Sequence, residues 1–260
     1  MIRVGVVGAL GRMGSAVCRA VVADPETALV AAVDVRAANE WITTSDGSKV
    51  QVDAEMDVLT QAEVDVAVDF THPSAVLENA RWCVQHAIDV VVGTTGLSDR
   101  DVDELRRLID AEGNESNVFV APNFATGAVL MMRFAAEAAR HFPSIEIVEL
   151  HHDGKADAPS GTALATARVI AESRPGAPAP QSAEVVPGAR GGDVEGIRVH
   201  SVRLPGLVAH QEVILGSPGQ TLTIRHDSTD RESFMPGVLL AVKKIKDHPG
   251  LTVGLEALLD

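Results

Sequence analysis

The chain has 260 residues and a formal charge of −14 at pH 7, with 22 Lys and Arg against 36 Asp and Glu and no basic cluster. That balance excludes a nucleic-acid partner, which needs a basic stripe for the phosphate backbone, but permits a small anionic ligand held by a few local cations. Hydrophobic residues at 46% and charged residues at 22% indicate a soluble globular protein large enough for one large domain or two modest ones.

The N-terminus, MIRVGVVGALG, reads as a strand running into a glycine turn. It lacks a signal-peptide h-region and cleavage site, and no apolar stretch in the chain reaches the length of a membrane span, so a cytoplasmic protein is expected. Short β-branched runs then alternate with helical stretches, the grammar of a parallel sheet with crossover helices. Strands are predicted over Ile2–Val7, Ala28–Val33, Val64–Phe70, Ile88–Val92 and Asn117–Ala121, and helices over Arg12–Ala23, Ser74–His86 and Asp99–Glu112. Pro73 before Ser74 marks a helix entry, and Ser98 caps the acidic start of the next helix. Cys18 and Cys83 fall in two of these helices and read as buried thiols.

From Pro122 the pattern changes. A helix over Ala125–His141 leads to a strand over Ile145–Leu150, a polar loop, and an Ala-rich helix over Thr162–Ala171. Arg174–Gly196 is rich in Pro and Gly and is predicted to be a loop with little regular structure. Three strands follow, Ile197–Leu204, Val208–Leu215 and Gln220–His226, expected as an antiparallel sheet joined by turns at Pro205-Gly206 and Pro218-Gly219. Phe234–Lys246 is an amphipathic helix expected to pack back on the first domain. The fold class is therefore α/β: a Rossmann-like doubly wound parallel sheet, plus a second α+β domain with a mixed, mainly antiparallel sheet.

Gly8, Gly11 and Gly14 lie between a strand and a helix in the sequence G-A-L-G-R-M-G. Glycines there permit a tight turn and let a pyrophosphate approach the helix N-terminus. The spacing alone is weak, since three glycines also suit an ordinary tight turn. Asp34 strengthens it by ending the second strand, where an acid hydrogen-bonds the adenine ribose hydroxyls. Asp34 favours NADH by repelling a 2′-phosphate, whereas Arg12 and Arg36 lie close enough in sequence to tolerate that phosphate. Three later segments end strands on the same side of the sheet: Asp69-Phe70-Thr71-His72, Gly93-Thr94-Thr95-Gly96 and Ala121-Pro122-Asn123-Phe124. Ligands of doubly wound sheets bind outside the carboxyl ends of strands, and the Gly-Thr-Thr-Gly loop suits a nicotinamide carboxamide.

The run EIVELHHDGKADAPSGTA, Glu146 to Ala163, concentrates chemistry. Its histidines His151 and His152, Lys155, and a Ser160-Gly161-Thr162 turn at a helix start suit an anionic substrate with at least one carboxylate. Hydride addition to a bound acceptor leaves negative charge that must be protonated. Lys155 offers charge stabilisation and a proton, and His151 titrates near neutral pH. Pro159 restricts Ala158 to extended conformations, which favours a defined turn. One of the two histidines is expected to pack or hydrogen-bond rather than react. Asp157 orients Lys155 or caps the turn, and Glu146 and Glu149 face either the sheet or an oligomer partner. The adjacent histidines complete no metal ligand set.

Taken together, VGVVGALGRMG, DFTHP, GTTG, APNF and the Glu146–Ala163 run closely resemble the dihydrodipicolinate reductase family over essentially the full length. The family signature E-[IV]-x-E-x-H-x-x-x-K-x-D-x-P-S-G-T-A is met at every fixed position. The resemblance implies a dinucleotide-binding domain of residues 1–122 and 232–260, and a substrate-binding and oligomerisation domain of residues 123–231 whose sheet forms a homotetramer. It further implies NADH- or NADPH-dependent reduction of a cyclic dicarboxylate in lysine (diaminopimelate) biosynthesis. By position, His151 and Lys155 match the catalytic pair, and His152, Lys155, Ser160, Gly161 and Thr162 match residues that bind the substrate carboxylates. Gly8, Gly11, Arg12, Met13, Gly14, Asp34, Arg36, Phe70, Gly93, Thr94, Thr95, Ala121, Pro122, Asn123 and Phe124 match the cofactor side, with Arg231 and Phe234 near the nicotinamide. Many members carry a histidine where this chain has Gly154, and Asp153 replaces a residue that is often basic or proline. One donor is thereby lost and a negative charge added beside an anion site, which predicts weaker substrate binding.

Two other functions fit the residues less well. A dehydrogenase acting on an aspartate-derived semialdehyde needs a reactive cysteine in the crevice, and Cys18 and Cys83 lie on flanking helices. A dinucleotide-sensing regulator has no use for His151 and Lys155 beside an anion site.

Overall fold

The computed structural model describes residues 1–94, 97–111, 113, 116–174 and 183–259. Two compact units emerge: Met1–Phe124 with Phe234–Asp260, and Ala125–Ser233.

The first unit opens with β1 (Ile2–Val7), α1 (Arg12–Ala23), β2 (Thr27–Val33), β3 (Trp41–Thr43), β4 (Lys49–Asp53) and a short α2 (Val58–Gln61). It continues with β5 (Val66–Asp69), α3 (Pro73–Gln85), β6 (Asp89–Val92), α4 (Asp99–Ala111) and β7 (Val118–Val120). The second unit contains α5 (Thr126–Ala139), β8 (Ser144–His151), α6 (Gly161–Ser173), β9 (Gly192–Val194), β10 (Ile197–Arg203), β11 (Ala209–Ser217) and β12 (Gln220–Ser228). The chain then re-enters the first unit with α7 (Met235–Lys244) and β13 (Leu251–Val253).

The first sheet has the order β13-β7-β6-β5-β1-β2-β4-β3. Every pair is parallel except the β3–β4 hairpin. Strands β4-β2-β1-β5-β6-β7 thus follow the doubly wound order 3-2-1-4-5-6, with its switch point between β1 and β5. Strands β5, β6 and β7 are buried at every position, as expected where helices cover both faces. In α1 the buried residues Gly14, Val17, Cys18 and Val21 recur at helical spacing and form the stripe that meets the sheet. Both cysteines are buried and unpaired, and burial pushes the Cys18 thiol up to about 12.

The second sheet has the order β12-β11-β8-β10-β9, with only β8–β10 parallel. In β8, Ile145, Ile147 and Glu149 alternate onto the buried face, while Glu146, Val148 and Leu150 lie on the other. Ile145 and Ile147 pack with Ala163, Ala167 and Ile170 of α6 and with Met131 and Ala135 of α5.

The structure departs from the sequence-based expectations in three respects. Pro205-Gly206 does not join hydrogen-bonded neighbours, because β8 lies between β10 and β11 and pairs with both. A Pro-Gly turn specifies a local reversal, whereas burial of the apolar β8 decides which strand takes the centre. The stretch Arg174–Gly196 is not wholly loop: β9 forms an edge strand, joined to β10 by Glu195 and Gly196, both at positive φ. Three residues, Gly-Asp-Val, are too few and too polar to show alternation in sequence. Residues 175–182 of that stretch, and Glu112, lie outside the described residues. Strands β3, β4 and β13 were not expected, and each has five residues or fewer. No helix among the described residues is long and apolar enough to cross a membrane.

Candidate active site

In the first unit, the turn from β1 into α1 is built on glycine. Gly8 has φ +82°, a conformation that side chains rarely adopt. The N–H groups of Gly8 and Ala9 both donate to Val33 O, at 2.8 and 3.0 Å. A Cβ on Gly14 would stand 2.0 Å from Gly8 O, so the loop lies directly on the helix. Gly11 is the N-cap of α1, with no side-chain cap and no acidic residue in the first turn. The positive end of this helix therefore has no side-chain cap and no acidic residue to neutralise it, and the cradle fits a pyrophosphate.

Asp34, buried at the end of β2, accepts from Leu10 N–H (2.9 Å) and from the backbone N–H, Nε and Nη2 of Arg36 (each 3.0 Å). The Arg36 hydrogen bond leads the causes that hold its carboxyl below the usual range, against the opposing effect of burial. Asp34 thus ties the glycine loop to β2, and Arg36 lies beside it with an exposed side chain.

The segments that end β1, β5, β6 and β7 are brought into one group. A Cβ on Gly8 would meet Phe70 O at 2.7 Å, and one on Gly93 would meet Phe70 Cζ at 2.1 Å. The rings of Phe70 and Phe124 stand 5.9 Å apart. Asp69 is fully buried and accepts from Thr71 N (2.9 Å), Thr71 Oγ1 (2.7 Å), Asn79 Nδ2 (2.7 Å) and Thr94 Oγ1 (3.0 Å). It thereby locks the loop after β5 to the loop after β6. Ala121 is buried, Asn123 half-buried and Pro122 exposed. Gly237 lets α7 pack on Phe124, since a Cβ there would stand 2.1 Å from Phe124 O. Phe234 precedes α7 and is half-buried, Arg12 is exposed and Met13 half-buried. Thr95 lies outside the described residues, and Arg231 is an exposed residue of the second unit.

In the second unit, Glu149 organises the signature run. Its carboxylate is 0% exposed. Oε1 accepts from Arg203 Nη2 (2.8 Å) and Ser160 N–H (3.2 Å), and Oε2 lies 2.9 Å from Arg203 Nη1 and 2.5 Å from His151 Nδ1. Burial would raise this carboxyl, but hydrogen bonds from Arg203, Ser201 and His151 outweigh it and hold it below the usual range. Arg203 Nη2 also donates to Asp157 O at 2.7 Å, and Lys155 Nζ donates to Asp157 Oδ1 at 2.7 Å. His151, Lys155 and the Ser160 turn therefore belong to one hydrogen-bonded network.

Burial depresses the His151 imidazole below its usual 6.5; Glu149 opposes this, and the charges of Lys155 and Arg203 reinforce it. The Pro-Gly crossing that passes the end of β8 closes on it through Leu204 N–H to His151 O at 3.1 Å. Ser160, the N-cap of α6, accepts from Ala163 N–H at 3.2 Å, so its hydroxyl hydrogen remains its free donor. A Cβ on Gly161 would meet nothing within 4 Å, leaving open space at the helix start. His152 is exposed, and Gly154 lies beside it.

Glu149 had two readings in sequence, and the structure turns it to the buried face. Glu149-x-His151 carried the signal, since alternate residues of a strand share a face. Arg203 carried none, because it reaches His151 only through the β8–β10 register. Glu146, on the other face, pairs with His200 Nε2 at 2.8 Å and with Arg190. Among the described residues no cluster of His, Cys, Asp and Glu could hold a metal ion.

The dihydrodipicolinate reductase N-terminus and C-terminus family models match residues 2–124 and 127–259. A 4-hydroxy-tetrahydrodipicolinate reductase of Thermobifida fusca is 53% identical over 100% of this chain and 99% of its own length. One of Mycolicibacterium gilvum is 50% identical over 99% of each. Among solved structures, the dipicolinate-bound dihydrodipicolinate reductase of Paenisporosarcina sp. TG-14 superposes with a TM-score of 0.86 at 40% identity, covering 99% of each chain. This chain belongs to the dihydrodipicolinate reductase family.

Proposed function

We propose that the chain reduces 4-hydroxy-tetrahydrodipicolinate or dihydrodipicolinate to tetrahydrodipicolinate with NADH or NADPH, in lysine (diaminopimelate) biosynthesis. The observation that carries this is the network joining His151, Lys155 and the Ser160 turn through Glu149, Asp157 and Arg203. A reduced nicotinamide supplies the hydride when bound. Gly8, Gly11, Arg12, Met13 and Gly14 would hold its pyrophosphate, and Asp34 and Arg36 would face its adenine ribose. Phe70, Gly93, Thr94, Ala121–Phe124 and Phe234 would take its nicotinamide end, and the family resemblance adds Thr95 and Arg231.

The substrate carboxylates fall to Ser160, Gly161 and Thr162 at the start of α6 and to His152 and Lys155 of the preceding loop. Lys155 and His151 are the groups that stabilise the charge left by hydride addition and hold a proton for it. A coupled assay tests the whole assignment: aspartate semialdehyde and pyruvate are condensed by the preceding enzyme and dinucleotide oxidation is followed. No oxidation of either NADH or NADPH overturns it.

Arg36 balances the Asp34 charge, so both dinucleotides are expected to be used. Asp34→Ala should raise the KM for NADH about 10-fold or more, as expected when a buried hydrogen-bonding group is lost. Arg36→Ala should raise the KM for NADPH more than that for NADH. An unchanged NADH/NADPH ratio in both variants removes the ribose role from these residues.

His151 supplies a test in pH. The free imidazole titrates below 6.5. Two substrate carboxylates nearby favour its charged form and raise that value, so binding near pH 6.5 takes up protons. Calorimetric titration with dipicolinate in buffers of different ionisation enthalpy reads this uptake. Zero uptake, or proton release, is incompatible with a carboxylate beside His151.

The open face of the second sheet, with Val148, Leu150 and Ile214 half-buried, supports assembly into a homotetramer. Sedimentation equilibrium at the mass of one chain excludes it. The two free cysteines suit a reducing cytoplasm.

A further inference from the structure

We infer that Glu149 and Arg203 are positioning residues: together they hold the hydrogen of His151 on Nδ1, so that Nε2 is the nitrogen offered to substrate. This rests on the role proposed above for His151.

Glu149 is wholly enclosed, and both its oxygens are occupied. Arg203 grips them with a two-pronged fork (2.8 and 2.9 Å), and the Ser201 side chain adds a further hydrogen bond. Ser160 N–H donates to Oε1, and His151 Nδ1 meets Oε2. An ionised carboxylate only accepts, so Nδ1 must carry the hydrogen. The same carboxylate sets the first residue of the α6 turn, so the imidazole and the anion-binding end of that helix are fixed to one rigid group. The charged groups that face His151 are Glu149 on its own strand, Arg203 on β10, and Lys155 on the loop, with Asp157 bridging the last two. Arg203 neutralises Glu149 locally, so the free enzyme's His151 is not held permanently as imidazolium and can gain its charge from an anionic substrate.

Glu149→Gln tests this because it is nearly isosteric and breaks the pattern in one direction. If the amide N–H₂ replaces Oε1, it confronts both Ser160 N–H and Arg203 Nη2. If it replaces Oε2, it confronts Arg203 Nη1 alone among the fixed donors, since the Ser201 hydroxyl can turn to accept, and it donates to His151. The second orientation is favoured, and it turns Nδ1 into an acceptor and moves the imidazole hydrogen to Nε2. Reversing a carboxylate-oriented histidine in this way costs about 10⁴-fold in turnover in serine proteases. Here, where Lys155 shares the chemistry, a loss of about 100-fold in kcat is expected, with the Kd for NADH unchanged.

The experiment combines steady-state kinetics with ¹⁵N NMR of the His151 ring in wild type, Glu149→Gln, Glu149→Asp and His151→Gln. Wild type should show the Nδ1–H form and Glu149→Gln the Nε2–H form, with Glu149→Asp restoring the tautomer and part of kcat. A wild-type ring protonated on Nε2 overturns the inference, and this measurement does not depend on any variant folding. A reversed tautomer with full kcat also overturns it. His151→Gln with full kcat overturns the role of His151 itself, and the NMR then tells that failure apart from a failure of Glu149 to set the tautomer.

Discussion

Lys155→Ala should lower turnover by about 100- to 1,000-fold while leaving the affinity for NADH intact. Lys155 is the only lysine of the signature run, and its side chain is 21% exposed, open enough to meet a ligand. Its partner, Asp157, is 59% exposed and pulled below the usual carboxylate range first by the Lys155 hydrogen bond. An ion pair of that exposure contributes roughly 0–1 kcal/mol to folding, so the variant is expected to remain folded. Apart from Arg231, the residues assigned to the dinucleotide belong to the other unit, so kcat and dinucleotide affinity should separate. Lys155→Arg keeps the charge but spreads it over a planar fork, and recovery of only a minor part of kcat is expected. Calorimetric NADH binding measured beside single-turnover kinetics decides the matter; equal loss of both would mean misfolding rather than missing chemistry.

Gly14→Ala should abolish dinucleotide binding within the measurable range, a loss of about 100-fold or more, and destabilise the fold by about 1–3 kcal/mol. The added methyl would stand 2.0 Å from Gly8 O, 2.7 Å from Gly8 C and 3.0 Å from Ala9 Cα. These are backbone atoms, so no rotamer change relieves the overlap and the loop itself must move. That displacement would carry Ala9 and Leu10 away from Val33 O and the Asp34 carboxylate. Gly11→Ala is the control. Its φ is −74° and its Cβ would meet only Gly8 O, at 3.1 Å, so a milder effect is expected. Thermal melts and NADH titrations of the two variants check this, and wild-type affinity in Gly14→Ala would remove the glycine loop from the dinucleotide site.

The parallel sheet was legible because its strands are continuous apolar runs set between helical stretches. Ile2–Val7 and Arg12–Ala23 coincide with the observed β1 and α1. The doubly wound order was legible as a class, but β4 and β13 were not, since Lys49–Asp53 and Leu251–Val253 alternate over too few residues to stand out. In the second unit every strand but β9 was found, and one of their neighbours was mistaken. Hydrophobic alternation reports which face of a strand is buried and nothing about which strand lies beside it. That information resides in the insertion of β8 between β10 and β11. The same limit applies to the site: His151, Lys155 and Ser160 are close in sequence and were visible as a cluster. Arg203 reaches them through register across two strands, and Asn79 reaches Asp69 from a helix.

The division of the first unit into two stretches of chain has a consequence for biosynthesis. Strand β7 gains its outer partner only from Leu251–Val253, and α7 contributes the buried Val238, Ala241 and Val242 to the same unit. During translation the whole of Ala125–Ser233 emerges before either. A nascent or prematurely terminated chain therefore carries Val118-Phe119-Val120 with an open hydrogen-bonding edge, an apolar strand of the kind that recruits other chains. Completing the C-terminal segment closes that edge, and aggregation is the hazard for every product that stops short of it.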